Sequence, residues 1–194
     1  GKVVREQTGN DYTYYTYDSK GNVTVLATLK KDFKGEIPKI YDSSLTCFDT
    51  TTYTYDSKGR VTKEENSDGS VAYEYDSRGN VTKETNVTVE NDKTKTAVTT
   101  YTYDDMGNLL TTQSEGDSAT YVYDKAGRTL RVTQNGETTR TIYDNQGRTI
   151  QEISPEDYNS SKDGLPNANT YSDANVGHRS FYNETTGKLD REIN

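Results

Sequence analysis

An all-β fold, an array of antiparallel β-hairpins, is what three features of this 194-residue sequence predict. A Tyr-x-Tyr-Asp-x-x-Gly signature recurs at near-constant spacing. Apolar or aromatic residues alternate with polar ones on either side of it. No segment carries a convincing helical period.

The clearest copies are Tyr15-Thr16-Tyr17-Asp18-Ser19-Lys20-Gly21, Tyr53-Thr54-Tyr55-Asp56-Ser57-Lys58-Gly59 and Tyr73-Glu74-Tyr75-Asp76-Ser77-Arg78-Gly79. Three more follow. They carry Tyr101, Tyr103, Asp104 and Gly107; Tyr121, Tyr123, Asp124 and Gly127; and Tyr143, Asp144 and Gly147. Successive Asp residues are 38, 20, 28, 20 and 20 positions apart. The period is therefore near 20, with an insertion of about eight residues before Tyr101. The gap of 38 holds a weaker copy, Ile40-Tyr41-Asp42-Ser43-Ser44-Leu45, without the Gly. Phe181-Tyr182-Asn183-Glu184-Thr185-Thr186-Gly187 restores the pattern with Asn for Asp. Counting degenerate copies, about nine Tyr-Asp units fit the chain at that period. The whole of 1–194 reads as a single repeat array, cut from a larger protein. Regular repeats run from about 12 to 153, an irregular segment covers 154–180, and a degenerate repeat covers 181–194.

Each unit reads as strand, turn, strand. Val71, Tyr73 and Tyr75 share one face by strand alternation, with Ala72 and Glu74 on the other. Asp-x-x-Gly matches a type I turn: Asp suits the first position because its carboxylate accepts nearby backbone N–H groups. Gly at the fourth takes positive φ, which gives a bulged hairpin. Val23, Val61, Val81, Leu109, Leu130 and Ile150 then resume the strand. Second turns at Asn66-Ser67-Asp68-Gly69, Ser114-Glu115-Gly116-Asp117 and Gln134-Asn135-Gly136-Glu137 close units from the other end. The expected result is a meander whose units stack and bury one another's Tyr and β-branched rows, since a lone hairpin is marginal in water. A cut array exposes unpaired edges, so edge-to-edge self-association is expected.

Composition narrows the function. Net charge is −8 with no basic cluster, which argues against nucleic acid. No apolar run reaches membrane-spanning length, and Gly1-Lys2-Val3-Val4 lacks the apolar stretch of a secretory leader. Leu, Ile, Val and Phe make up only about 15% of the chain, a level at which disorder is the default. The 17 Tyr at fixed repeat positions and the scarcity of Pro oppose disorder and point to a thin, Tyr-rich core. The Tyr rows also have the chemistry of a carbohydrate platform; their i, i+2 pairing on one face favours core.

Catalytic, cofactor and metal sites are not expected. The motif Asp residues have a structural task in turns. His178 is the single His, so His-based triads and multi-His metal sites are impossible. Cys47 is the single Cys and reads as a buried free thiol. Asn66-x-Asp68-Gly69 lacks the remaining ligands of a calcium loop. Asn22, Asn80, Asn86, Asn159 and Asn183 open formal glycan sequons, two of which are simply strand restarts after a turn Gly.

The run Tyr-x-Tyr-Asp-x-x-Gly-Asn/Arg resembles the YD repeats of Rhs proteins, found also in bacterial wall-associated proteins, insecticidal toxin-complex C components and animal teneurins. The likeness extends from about Tyr12 to Leu189 and is strongest from Tyr53 to Ile153. It implies a twisted, curved sheet, a strip of a spiral β-shell. In toxin members such a shell encloses a C-terminal domain, and in teneurins the equivalent barrel supports adhesion. The self-cleaving aspartate segment of Rhs shells is not found here, so cargo and cleavage are not assigned to these residues.

The expectation is a non-enzymatic structural segment of a secreted or cell-surface protein, bacterial in origin. Its partners would be flanking repeats and an enclosed C-terminal domain of the parent. The alternative is a cell-surface module that binds carbohydrate or protein.

Overall fold

The computed structural model describes residues 2–164 and 168–194. Its fifteen strands are β1 (Arg5–Thr8), β2 (Asp11–Tyr17), β3 (Val23–Leu29), β4 (Phe48–Tyr55), β5 (Val61–Asn66), β6 (Gly69–Tyr75), β7 (Val81–Glu90), β8 (Lys93–Tyr103), β9 (Leu109–Gln113), β10 (Ser118–Tyr123), β11 (Thr129–Gln134), β12 (Glu137–Tyr143), β13 (Thr149–Ile153), β14 (His178–Tyr182) and β15 (Leu189–Ile193). Their hydrogen-bonded order follows chain order, so the sheet is an antiparallel meander with β1 and β15 as its edges. No helix occurs among the described residues. Two compact units divide the chain at Gly1–Thr99 and Thr100–Asn194, a boundary within β8.

Turn chemistry explains the meander. Every Asp-x-x-Gly joins an even-numbered strand to the next odd one, as at β2–β3 and β12–β13. In each such hairpin the register slips by one residue at the motif Tyr: Tyr17 faces Val23 while Thr16 faces Val25. The same slip recurs at Tyr55, Tyr75, Tyr103, Tyr123, Tyr143 and Tyr182. The bulge thus lies on the returning strand, beyond the turn itself. Two-residue turns close the opposite ends at β1–β2, β5–β6, β7–β8 and β11–β12, and a four-residue turn closes β9–β10. Asn135-Gly136 (φ 52° and 89°) and Asn91-Asp92 (φ 50° and 60°) have the positive dihedrals of type I′ turns, which match strand twist. The insertion before Tyr101 is spent on longer strands: β7 has 10 residues and β8 has 11.

Two connections are long, 30–47 between β3 and β4 and 154–177 between β13 and β14. The first contains the weak copy Ile40–Leu45, expected to be a repeat unit. It forms turns rather than a strand: Asp42 accepts the Ser44 N–H at 2.9 Å, and Tyr41 packs edge-on to Phe48 at 5.3 Å. Without the Gly there is no left-handed residue to bring the chain back, so the Asp caps a local turn instead.

These connections decide where the core sits. In the first unit Tyr14, Ala27, Cys47 and Phe48 are buried, with Phe33 and Tyr41 packed on them. In the second, Ile142, Ile153 and Tyr171 are buried beside Ile150, Tyr158 and Val176. Tyr14 lies between Thr13 and Tyr15, and Ile142 next to Tyr143. By alternation both clusters therefore occupy the face opposite the motif Tyr pairs. The Tyr rows, expected to be the core, are only half-buried throughout. A single-layer meander can bury one face fully only where something covers it, and within each unit the cover is a loop.

Candidate functional site

The repeated constellation is a ladder of turns, built from one local unit. At Asp18 the backbone N–H donates to the Asn22 carbonyl (2.9 Å), and the Gly21 N–H donates to the Asp18 carbonyl (3.1 Å). Oδ1 of Asp18 accepts the N–H groups of Gly21 (2.7 Å) and Asn22 (2.8 Å), and Oδ2 accepts the Asn22 side-chain amide (2.8 Å). Asp76 and Asp104 repeat this with Asn80 and Asn108. At Asp56, Asp124 and Asp144 an Arg replaces the Asn: Arg60 Nε donates to Asp56 at 2.7 Å, and Arg148 Nε to Asp144 at 2.5 Å.

These contacts hold the carboxylates below their ordinary pKa. For Asp18, Asp76 and Asp104 the leading cause is the Asn side-chain bond; for Asp56 it is the Arg60 backbone N–H. At Asp124 and Asp144 burial alone would raise the value, and the Arg128 and Arg148 bonds outweigh it. The motif Asp residues are thus ionised acceptors whose oxygens are occupied by their own turns.

The Tyr residues link hairpins to one another. Tyr17 donates its hydroxyl to the Val3 carbonyl (2.6 Å), Tyr55 to Val23 (2.7 Å) and Tyr75 to Val61 (2.6 Å). In the second unit Tyr123 donates to Leu109 (2.8 Å) and Tyr143 to Thr129 (2.9 Å). The acceptors Val23, Val61, Leu109 and Thr129 each lie two residues after the turn Gly of the preceding hairpin. Burial raises the Tyr55, Tyr123 and Tyr143 pKa values, which keeps these hydroxyls as donors. The first Tyr of a pair packs against the second: ring centroids are 6.4 Å apart for Tyr15 and Tyr17, 6.5 Å for Tyr73 and Tyr75, and 6.5 Å for Tyr121 and Tyr123. Tyr53 is half-buried, with its pKa raised by burial, and Tyr101 is half-buried on β8.

The last position of the motif, Asn or Arg, has a role that the motif itself does not state. The position after each turn Gly, held by Asn22, Arg60, Asn80, Asn108, Arg128 and Arg148, supplies the second clamp on the Asp. Where it is Arg, it also reaches forward. Arg60 lies 4.3 Å over the Tyr75 ring and donates to the Asp76 carbonyl (3.2 Å). Arg128 covers Tyr143 at 4.7 Å, and Arg148 covers Tyr182 at 4.3 Å. The recurrence of Asn or Arg at that position was the available signal. Close approach also adds a second reason for Gly in the turn: at Gly147 (φ 84°) a Cβ would stand 2.8 Å from Arg128 Nη1.

A second constellation pins the 154–177 connection to β11 and β12. Arg140, with no side-chain exposure, donates Nε to Asp163 at 2.7 Å. Its other nitrogens reach the carbonyls of Leu130 (2.8 Å), Thr141, Thr170 and Ala168. Asp163, 4% exposed, also accepts Arg131 (3.0 Å) and the Tyr158 hydroxyl (2.8 Å). Burial opposes its charge, yet the Arg140, Tyr158 and Arg131 bonds keep its pKa low. Asn169 pairs with both backbone groups of Tyr143 (2.8 and 2.6 Å). Among the described residues no group of three or more His, Cys, Asp or Glu could hold a metal ion, and no helix is long and apolar enough to cross a membrane. His178 sits at the start of β14, hydrogen-bonded to Asn194 and 3.5 Å from Glu192.

Fold and ladder together define a hairpin-repeat array whose signature residues hold turns and fasten neighbouring hairpins. The chain matches the RHS Repeat family over residues 55–88 and the Teneurin YD-shell family over residues 82–191. It belongs to the YD-shell family, in which the YD or Rhs repeat is the unit. No curated protein sequence matches it. Among solved structures it is similar to a chain of TcdB2-TccC3-Cdc42, at a TM-score of 0.67 and 15% identity. That match covers 97% of this chain and 9% of the solved one. It is also similar to a chain of TcdB2-TccC3 without the hypervariable C-terminal region, with 14% identity, a TM-score of 0.48, and 94% and 11% coverage. This sequence thus spans about a tenth of the chains it resembles.

Proposed function

We propose that this chain is a structural YD-repeat segment of a secreted or cell-surface protein, part of a β-shell or stalk that encloses or presents another domain. One observation carries the reading: the motif side chains are consumed within the array. The Asp oxygens are occupied by their turns, the Tyr hydroxyls by carbonyls of the preceding hairpin, and several Tyr ring faces by cations. Residues so occupied have little left for turnover. A sugar ring would have to displace Arg60 from Tyr75, or Arg128 from Tyr143, to stack there. That weighs against the carbohydrate-binding alternative. Family membership supports the shell reading.

Two measurements test it. A glycan array should show no defined ligand for the purified chain; saturable micromolar binding would transfer the assignment to the adhesive module. In the parent protein, limited proteolysis should spare a non-repeat domain while the array is folded and cleave it once urea melts the array. Equal cleavage in both states would refute enclosure.

A further inference from the structure

We propose that Arg179 is a receiving site for an acidic side chain, an Asp or Glu on a polypeptide segment from outside the repeat array that lies over the β13–β14 junction. The inference rests on the shell reading, which supplies a covering segment, and names the chemistry that segment presents there.

The chain carries its own template for such a site. Arg140 stands four residues before the turn residue Asp144, and Arg179 stands four residues before Asn183. Both face the same side of the sheet: Arg140 lies opposite Ile153, and Arg179 lies opposite Gln151, which in turn lies opposite Ile142. Each also ends the ladder toward the motif side of its junction, Arg140 with Arg131 and Arg179 with Gln151. At Arg140 the connection folds over and inserts Asp163, whose carboxylate takes Nε at 2.7 Å. No carboxylate among the described residues does this for Arg179. Its Nη1 donates to the Ala174 carbonyl (3.2 Å) and to Asn175 Oδ1 (3.3 Å), both neutral. Its Nε is buried without a hydrogen-bond partner, the one such side-chain atom among the described residues.

The other shielded arginines mark the contrast. Arg60, Arg128, Arg131, Arg140 and Arg148 are partly or fully buried, and each pairs with an Asp. A shielded cation with an unmet donor is costly until a partner arrives.

There is room for one. A cleft of about 380 Å³ lies beside Arg179, with Arg148, Ile150, Gln151, Phe181 and Glu184 among its walls. The junction is less tightly fastened here than at β11–β12. There the Tyr143 hydroxyl meets the Thr129 carbonyl at 2.9 Å, whereas the Tyr182 hydroxyl makes no such bond to Thr149. Both β13 and β14 have neighbours on either side, so the cleft belongs to the interior of the sheet. Arg148 is committed to Asp144, which leaves Arg179 as the available cation. One guanidinium, with Glu184 in the same wall, suits a monoanionic carboxylate better than a phosphate. Nη2 and Nε form the edge that a carboxylate meets with two parallel bonds. Nε is shielded, so the second bond forms as the guanidinium turns toward the entering group. Ile150 and Phe181 suit an apolar neighbour of the acidic residue.

The test titrates the intact, isotope-labelled chain with the peptide Ac-Phe-Asp-Leu-amide and with its Asn counterpart. The readout is the Arg179 side-chain Nε–H resonance, assigned by its loss in Arg179→Lys. The Asp peptide should shift it saturably, with a midpoint at or below about 5 mM, the weak-binding range. The Asn peptide should bind at least about 10-fold more weakly, because the charge-assisted pair is gone. Sodium acetate should need at least about 10-fold more ligand, since it lacks the apolar neighbours. In Arg179→Lys, followed at the Ser180 and Phe181 amides, the Asp peptide should weaken about 5-fold or more, as a point charge cannot form the fork. No shift at Arg179, equal binding by the Asn peptide, or unchanged binding in Arg179→Lys would overturn the proposal. Acetate acting as well as the peptide would reduce the cleft to an adventitious anion site and overturn it too. Binding seen only in Glu184→Gln would show that Glu184 already fills the role, with the same result. The glycan and proteolysis tests of the shell reading do not involve Arg179, so the two readings fail separately.

Discussion

Removing Asp163 should release the 154–177 connection and reveal how much the buried ion pair holds. In Asp163→Ala the carboxylate vanishes from three donors, at 2.7, 3.0 and 2.8 Å. Arg131 is 25% exposed and can turn to water. Arg140 has no exposure and cannot. It keeps carbonyl acceptors but loses its counter-charge. Breaking a buried pair from one side costs about 3–5 kcal/mol, and the surviving carbonyl bonds place this case near 3 kcal/mol. Against a domain stability of roughly 5–15 kcal/mol, that is enough to detach the loop locally. Hydrogen-exchange mass spectrometry resolves the event by segment. Peptides spanning Tyr158–Asp163 and Tyr171–Asp173 should lose protection first, and Ile142 should follow partly as Tyr171 leaves its cluster. Arg131→Ala is the internal control and should cost about 1 kcal/mol, as a partly exposed pair does. The double variant Arg140→Met/Asp163→Ala should be less destabilised than the sum of its singles, because no lone charge remains buried. A loss below about 1 kcal/mol for Asp163→Ala, with the connection still protected, would refute the reasoning.

Further outcomes follow from single positions and from pH. Tyr143→Phe removes the hydroxyl bonded to the Thr129 carbonyl and should cost about 1 kcal/mol in urea melts, with the ring contact to Arg128 retained. Asp124→Ala leaves the Ala126 and Arg128 N–H groups without their acceptor and should cost about 2 kcal/mol, read as faster exchange in β10 and β11. Gly177→Ala, at φ 72° with a Cβ only 2.0 Å from the Glu152 carbonyl oxygen, should cost more than about 2 kcal/mol. Gly9→Ala, at φ 61° with open space around it, should cost only about 1 kcal/mol. Acid should unfold the array. The motif Asp residues and Asp163 have folded pKa values below the unfolded value of about 3.9. Their stabilisation is complete above that pH and is lost as pH falls through the folded values, so melting temperature should be flat near neutrality and drop below about pH 4. His178 has the opposite sign: the Asn194 and Glu192 contacts raise its pKa. Its contribution to the β14–β15 pair is full below about pH 6.5 and fades as pH rises through the folded value. A melting curve insensitive to pH between 7 and 2, on the scale of ordinary carboxylate titration, would contradict the ladder.

The hairpins were legible because their determinants are local. Asp18, Gly21 and the alternating Tyr15 and Tyr17 lie within seven residues, and turn and strand rules act at that range. The clamp from Arg60 was legible in principle, since its position relative to Gly59 never changes. Its forward reach to Tyr75, fifteen residues on, was not, because it depends on how one hairpin lies against the next. The Ile40–Leu45 stretch misled for a related reason. Tyr-Asp resembles the motif, but the missing Gly lets the chain continue as a loop and carry Tyr41 onto Phe48.

By itself, then, the sequence determined the period, the turns and the side of each strand on which a motif Tyr falls, because these follow from backbone preferences over a few residues. Only the tertiary structure decided which face becomes core. Asp163 lies 23 positions beyond Arg140, in a stretch without repeat pattern, and their pairing draws an irregular connection over Ile142 and Ile153. Alternation marks two faces on every strand but cannot say which one will be covered. That is settled by where long connections can return and find partners for their buried polar groups.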